Sequence, residues 1–254
     1  MKNSDNEFGL LQPSLIDDGK GIQAWFTLKN NQFKPAERPV AGLNLGFNTP
    51  DSADIVKQNR SLLLSELDLD AQWLAYADQV HGSRVQVVSE GGTYGATDGL
   101  VTSLPGLTLA IQVADCAAVL LWDSTNNVIG ALHAGWRGAV AGILSEGIQM
   151  MKQQGAELEQ MNAFISPCIS QAHFEVGPEV AEQFPEPFVE RSRYAKPHVD
   201  LKGVLGQQIA DQGLKRTNIE VSKACTFADD EHFYSYRREG EESGRMMGLI
   251  QIKR

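Results

Sequence analysis

The chain is poor in the residues that usually announce a metal or redox protein: it has three cysteines and five histidines among 254 residues. Cys116, Cys168 and Cys225 are odd in number, far apart and without a Cys-x-x-Cys pair. That spacing gives no disulfide framework and suits a reducing compartment. Basic residues are in the minority, 22 against 32 acidic, for a formal charge of −10. Such a balance argues against a nucleic-acid backbone or an anionic membrane as the main partner. No apolar run reaches membrane-spanning length, and residues 1–15 lack the uninterrupted apolar core of a signal peptide, so a cytoplasmic protein is expected. The glycine-rich segment 91–99 matches neither the G-x-G-x-x-G nor the G-x-x-x-x-G-K pattern, so no dinucleotide or P-loop site is read. No internal repeat, low-complexity segment or linker marks a domain cut.

What the chain does have is concentrated in residues 106–140, GLTLAIQVADCAAVLLWDSTNNVIGALHAGWRGAV. Two β-forming runs, 107–113 and 117–122, are interrupted by Ala114, Asp115 and Cys116, and a third, 128–132, ends on His133. An acid, a thiol and an imidazole are thereby expected at strand ends, where a scaffold presents side chains to a pocket. The period of two puts His133 on the face of Ile129 and Ala131. A glycine turn follows, and then a helical pattern over 139–154. Strand, glycine turn and helix start together expose N–H groups that favour an anion. The bland alternative is a buried strand pair with a satisfied core histidine and an inert cysteine.

In chain order, 22–28 predicts an opening strand and 42–48 a short strand end entering a loop, in which Asn44 is either a turn former or a polar site residue. Residues 50–52 predict a helix start. Arg60 on that helix is either a solvated charge or a pocket residue. His81 is expected at a strand end beside a glycine, in the same local setting as His133. Asp98 is either a turn cap or a residue that orients a ligand from behind. Residues 178–184 predict a short helix, 185–197 a Pro-rich surface loop or lid, 199–214 a helix burying Leu201, Leu205 and Ile209, and 219–221 and 247–252 strands. Cys168 and Cys225 are expected to be structural.

Two imidazoles and a thiolate, His81, His133 and Cys116, suit a zinc ion with a fourth position open for water or substrate. The same residues admit a Cys–His hydrolase with Cys116 as nucleophile, its histidine oriented by Asp115 or a backbone group. A copper oxidase ranks lower, because a laccase needs more imidazoles, normally in His-x-His pairs, than five histidines supply.

Several separated motifs bear on this choice: GLNLG at 42–46, NR at 59–60, QVHGSRV at 79–85, ADC at 114–116, HAGWRG at 133–138, SPCI at 166–169, and SYRR with GR near the C-terminus. Together, and in this order, they resemble the YfiH/laccase-domain family, long described as polyphenol oxidase, over essentially the whole chain. The resemblance implies a single domain over residues 1–254. It also implies an α+β fold, a four-layer α/β/β/α sandwich with mixed sheets similar to a cysteine-dependent toxin deamidase domain, and a zinc site of His81, Cys116 and His133. Its implied activity is phosphorolysis of adenosine, inosine, guanosine and methylthioadenosine together with deamination of adenosine, with purine nucleosides and phosphate as the partners. Bacterial members are also linked to editing of peptidoglycan precursors, which a Cys–His amidohydrolase would suit. Two departures, Ala117–Ala118 where a proline is common and SPCI for GPCI, leave the ligand set intact.

Under that reading Cys116, His81 and His133 carry the metal, and Asp115 shuttles or orients a proton. Arg60 and the turn of Gly135, Arg137 and Gly138 hold phosphate, and Asn44 and Arg237 are further substrate-binding candidates.

Overall fold

The structure is a computed structural model and describes residues 2–3, 9–31 and 39–254. Two large mixed sheets and six α-helices occur among these residues. The first sheet runs in the order Lys2–Asn3, Leu11–Gln12, Ile22–Phe26, Met246–Ile252, Thr108–Val113, Leu74–Ala77, Gly92–Tyr94. The second runs Ile219–Val221, Met161–Ile165, Ala117–Asp123, Val128–Ala134, Gly99–Thr102, Val85–Val87.

The middle strands explain the layering. Ala117–Asp123 is buried along its whole length. Val119 and Leu121 face Ile148 of the helix Ile143–Gln153 and Leu205 of the helix Leu201–Asp211. Leu120 and Trp122, on the other face, meet Leu109, Ile111 and Ile250 of the first sheet. A strand covered on both faces reads as a continuous apolar run, which is how it reads in the sequence. The outer side of the first sheet, through Trp25, Leu74, Ala110 and Leu249, receives Leu63 and Leu64 of the helix Ala53–Glu66. The layers are helix, sheet, sheet, helix, the expected four-layer sandwich.

Local signals account for most element boundaries. Ser52 caps the helix Ala53–Glu66 by accepting the Ile55 N–H, and Asp54 in the first turn complements the helix dipole. Leu201, Leu205 and Ile209 are buried as their spacing predicts. No helix among the described residues is long and apolar enough to cross a membrane.

Four expectations are corrected. The helix expected over 139–154 is two, Trp136–Val140 and Ile143–Gln153, because Gly142 adopts φ +87°, a left-handed conformation that ends helical hydrogen bonding. Residues 42–48 form no strand. They are a loop organised by Asn44, whose Oδ1 accepts the Gly46 and Arg245 N–H groups while its amide donates to Asp51. The Pro-rich stretch 185–197 is not a plain loop: Val189–Glu190 pairs with His198–Val199. His81 is not at a strand end but within the connection between Leu74–Ala77 and Val85–Val87.

The two sheets are in close contact beside His133. Its register partner in the neighbouring strand is Ala118, and a Cβ added to Gly248 would lie 2.7 Å from the Ala118 Cβ. Gly248→Val is therefore expected to destabilise the protein by about 1–3 kcal/mol, read as a lower denaturant midpoint. An unchanged midpoint would show that the sheets are not in contact there.

Candidate metal centre

Cys116 and His81 both lie where the chain passes from one sheet to the other. The turn 114–116 joins Thr108–Val113 of the first sheet to Ala117–Asp123 of the second, and the loop bearing His81 joins Leu74–Ala77 to Val85–Val87. His133 is the penultimate residue of Val128–Ala134, on the face that Ile129 and Ala131 turn toward the space between the sheets. The three side chains meet at the end of the inter-sheet core, their ligand atoms within 4.8 Å of one another. The two imidazoles are set edge to face, with centroids 4.7 Å apart.

Both crossings bend sharply. His81 has φ +60° and Asp115 φ +79°, a region that costs a residue with a Cβ about 1–2 kcal/mol. Each bend is held by a buried carboxylate. Asp98 accepts the N–H groups of Val80, His81 and Gly82 at 3.2, 2.9 and 2.7 Å. It also lies 2.8 Å from His133 Nδ1. An ionised carboxylate only accepts, so the Nδ1 proton points to Asp98 and Nε2 is left for a ligand. Although burial opposes it, the bonds from His133 and from Gly82 and Val80 hold the Asp98 carboxyl below its ordinary range. Asp115 accepts from Thr226 Oγ1 at 2.6 Å, Ser235 Oγ at 2.9 Å and the Arg237 N–H at 2.6 Å. The residue that orients a histidine is thus Asp98, in one of its two expected roles; Asp115, alongside a backbone group the candidate for that part in a Cys–His hydrolase, is turned toward the C-terminal segment.

Burial by itself would raise the Cys116 thiol, but the neighbouring charge of His133 and hydrogen bonds to His133 and His81 bring it down to about 6. The same pairing, with Asp98, overcomes burial at His133 and raises it to about 9. The two shifts run in opposite senses, each favouring the charged form of its group, as in a thiolate paired with an imidazolium. Gly135 leaves them room: a Cβ there would fall 2.7 Å from Cys116 Sγ and 3.3 Å from His81 Nδ1. At Gly138 a Cβ would meet the Gly82 carbonyl at 2.8 Å, so both glycines are explained by close packing of the 81–82 loop and Cys116.

A cavity of about 730 Å³ opens over the centre. Four arginines line it, Arg60, Arg137, Arg237 and Arg245, in a protein whose net charge is −10. Arg60 is stacked between Phe47 and Tyr76, 4.2 and 4.4 Å from the ring centroids. Its Nε donates to the Leu45 carbonyl at 2.9 Å, while its Nη2 is buried without a hydrogen-bond partner. Arg245 lies over Tyr236 and donates to the Ser243 and Gly244 carbonyls. Arg237 donates to the Glu175 carbonyl, and Arg137 is exposed above Trp136. Of the residues expected in the pocket, Asn44 is not on its wall: it is fully buried and its amide is spent on Gly46, Thr49 and Asp51. Arg245 and Tyr76 were not anticipated. Arg245 stands in the GR motif, a signal that was present but had no neighbour in sequence to give it meaning.

The donor set suits one borderline-soft divalent ion with an open position. It does not suit several coppers. The other three histidines are engaged elsewhere: His173 lies beside Ser170 and Cys225, His198 beside the Gln171 carbonyl and His232 beside Asp229.

The family model described as multi-copper polyphenol oxidoreductase laccase matches residues 23–253. A purine nucleoside phosphorylase of Deinococcus radiodurans is 37% identical over 220 residues, covering 85% of this chain and 84% of that protein. Adenosine deaminase RL5, from an unknown prokaryotic organism, is 30% identical over 251 residues, covering 92% of this chain and 95% of its own. The crystal structure of the hypothetical protein YfiH of Bacillus licheniformis superposes with a TM-score of 0.89 at 29% identity, covering 98% of each chain.

Two outcomes are expected. Asp98→Asn loosens both histidines and weakens zinc binding by about 10- to 100-fold, measured by competition with a chelating dye; unchanged affinity would remove Asp98 from this role. In chelator-treated protein, alkylation of Cys116 rises through pH 6 and is already near its plateau at pH 7, whereas Cys168, fully buried and pushed up to about 12, stays out of the reagent's reach in the folded protein. A Cys116 that reacts only above pH 8 would exclude the thiolate.

Proposed function

The chain belongs to the multi-copper polyphenol oxidoreductase laccase family, and from that membership and the cavity above the centre we propose that it is a zinc-dependent purine nucleoside phosphorylase that also deaminates adenosine. Adenosine, inosine, guanosine and methylthioadenosine are the nucleosides this reading assigns to it. The observation that carries it is Arg60: a cation with a buried, unpartnered donor on the wall of the cavity that holds His81, Cys116 and His133. A buried donor without a partner costs about 1–3 kcal/mol, and an oxyanion placed against it recovers that. The names of the relatives, a phosphorylase and a deaminase, support the two reactions.

Phosphorolysis forms a bond from a phosphate oxygen to the anomeric carbon while the bond to the purine nitrogen breaks. Arg60 and Arg245 hold the phosphate, and the Gly135–Gly138 turn with Arg137 closes on it from the side of the centre. Arg237 borders the same space but is tied to Glu175 and, through its N–H, to Asp115. His81, Cys116 and His133 would hold a zinc ion, which would supply Lewis acidity. Asp98 sets the tautomer of His133. Asp115 positions Cys116 and moves no proton, since three donors already occupy its oxygens.

A second reading rests on the Cys116–His133–Asp98 alignment, a nucleophile, a base and an orienting acid. It makes the protein a Cys–His amidohydrolase acting on a peptide or a peptidoglycan precursor.

The test is a product assay with adenosine, in phosphate buffer and without phosphate, with metal content measured in parallel. Adenine with ribose 1-phosphate is expected only when phosphate is present, inosine in either buffer, and both are lost on chelation. Arg60→Gln raises KM for phosphate about 10- to 100-fold and leaves deamination, which uses no phosphate, near its original rate. No product from any purine nucleoside, with a covalent adduct at Cys116 and turnover of a peptide substrate that survives chelation, would replace this reading with the second.

A further inference from the structure

The two cysteines outside the metal centre are far apart in sequence and adjacent in the fold. Cys168 and Cys225 face each other across an isolated parallel bridge, with the Thr226 N–H donating to the Cys168 carbonyl at 3.3 Å. Bridge partners on neighbouring strands lie about 4.8 Å apart with side chains on one face, inside the range of about 4.4–6.8 Å between the Cα atoms of a disulfide. Both thiols are free.

Their surroundings differ in a way that assigns separate roles. Cys225 is half-buried, its sulfur accepts the Ser170 N–H at 3.3 Å, and it lies 3.6 Å from His173 Nδ1. The His173 ring is held in place by Phe227, stacked at 4.8 Å, and by Ser170 Oγ at 3.2 Å. Cys168 is fully buried and its sulfur is 3.6 Å from the Ile169 carbonyl. One thiol therefore has access, a hydrogen-bond donor for its anion and a base; the other has only its neighbour.

We propose that Cys225 and Cys168 form a peroxide-reactive dithiol site, with Cys225 as the attacking thiol, His173 as its base and Cys168 as the resolving thiol. The Cys225 proton passes to His173, the sulfur attacks one peroxide oxygen and the O–O bond breaks. The departing hydroxide takes the proton from His173 as water, and Cys225 is left as a sulfenic acid. The Cys168 sulfur then attacks Cys225 Sγ, the S–O bond breaks, and the second hydroxide leaves as water with the proton of Cys168. In sum, two thiols lose two electrons to one peroxide, giving a disulfide and two waters. The crosslink joins the two segments that hold Asp115, through the Ile169 N–H to its carbonyl and Thr226 Oγ1 to its carboxylate. It is independent of the nucleoside reading.

The experiment uses the metal-loaded full chain, treated with equimolar hydrogen peroxide, alkylated under denaturing conditions and digested without reductant for mass spectrometry. A linked pair of peptides carrying Cys168 and Cys225, released by dithiothreitol, is the expected result. Cys168→Ala should leave a sulfenic acid at Cys225 that dimedone traps, and His173→Gln should slow linkage at least about tenfold. A first product linked through Cys116, sulfinic acid at Cys225 with Cys168 still reduced, or both thiols fully alkylated after peroxide would each overturn the proposal.

Discussion

The carboxylate of Asp98 is the interaction on which the centre depends. It gathers the N–H groups of Val80, His81 and Gly82 and the imidazole of His133, so a single buried acid positions two candidate ligands from two different elements. The Asp98 side chain is fully buried, and these bonds together outweigh the cost of burying its charge. The backbone joins in, because the Asp98 carbonyl accepts the His133 N–H at 2.7 Å. Without that residue the left-handed turn at His81 has no compensation, and His133 has no fixed tautomer.

Asp115 plays the matching part on the other crossing. It fastens the turn that carries Cys116 to Thr226, Ser235 and the backbone of Arg237. The cavity wall and the thiolate are in this way built from one hydrogen-bond network. The arginines gain from it: Arg237 is held at its backbone, and Arg245 is anchored through Asn44, whose Oδ1 also fixes the 44–46 loop beneath Arg60. Asn44 therefore matters to the site by shaping it from behind the wall, while Asp115 both fastens the turn and borders the cavity.

Much of this was legible beforehand because burial and periodicity are written locally. The strands Thr108–Val113, Ala117–Asp123 and Val128–Ala134 announce themselves as apolar runs, and Ser52 and the 201, 205, 209 spacing mark two helices. The candidate ligands Cys116 and His133 stand out because they interrupt or end such runs. What stayed open or was missed depends on long-range partners. The choice between a turn cap and an orienting acid at Asp98 requires knowing that His133 lies beside it, and the true aim of Asp115 requires residues more than a hundred positions away. The break at Gly142 turns on a backbone angle that composition leaves open, and Arg245 acquires a purpose only once Gly46 and Tyr236 are seen to pack against it.

The strand Met246–Ile252 sits in the interior of the first sheet, between Ile22–Phe26 and Thr108–Val113. Such an order has a consequence for synthesis. His81, Cys116 and His133 emerge from the ribosome well before the strand that completes the frame around them, and so do Asp98 and Asp115. During that interval the second sheet, whose strands all precede residue 222, can form around Cys116 and His133, but the first sheet lacks its interior strand. Pairings this remote in sequence also close slowly, since loop entropy must be overcome before they gain any stability. The spacing of the two imidazoles and the thiol is thus fully framed only when the interior strand Met246–Ile252 is in place.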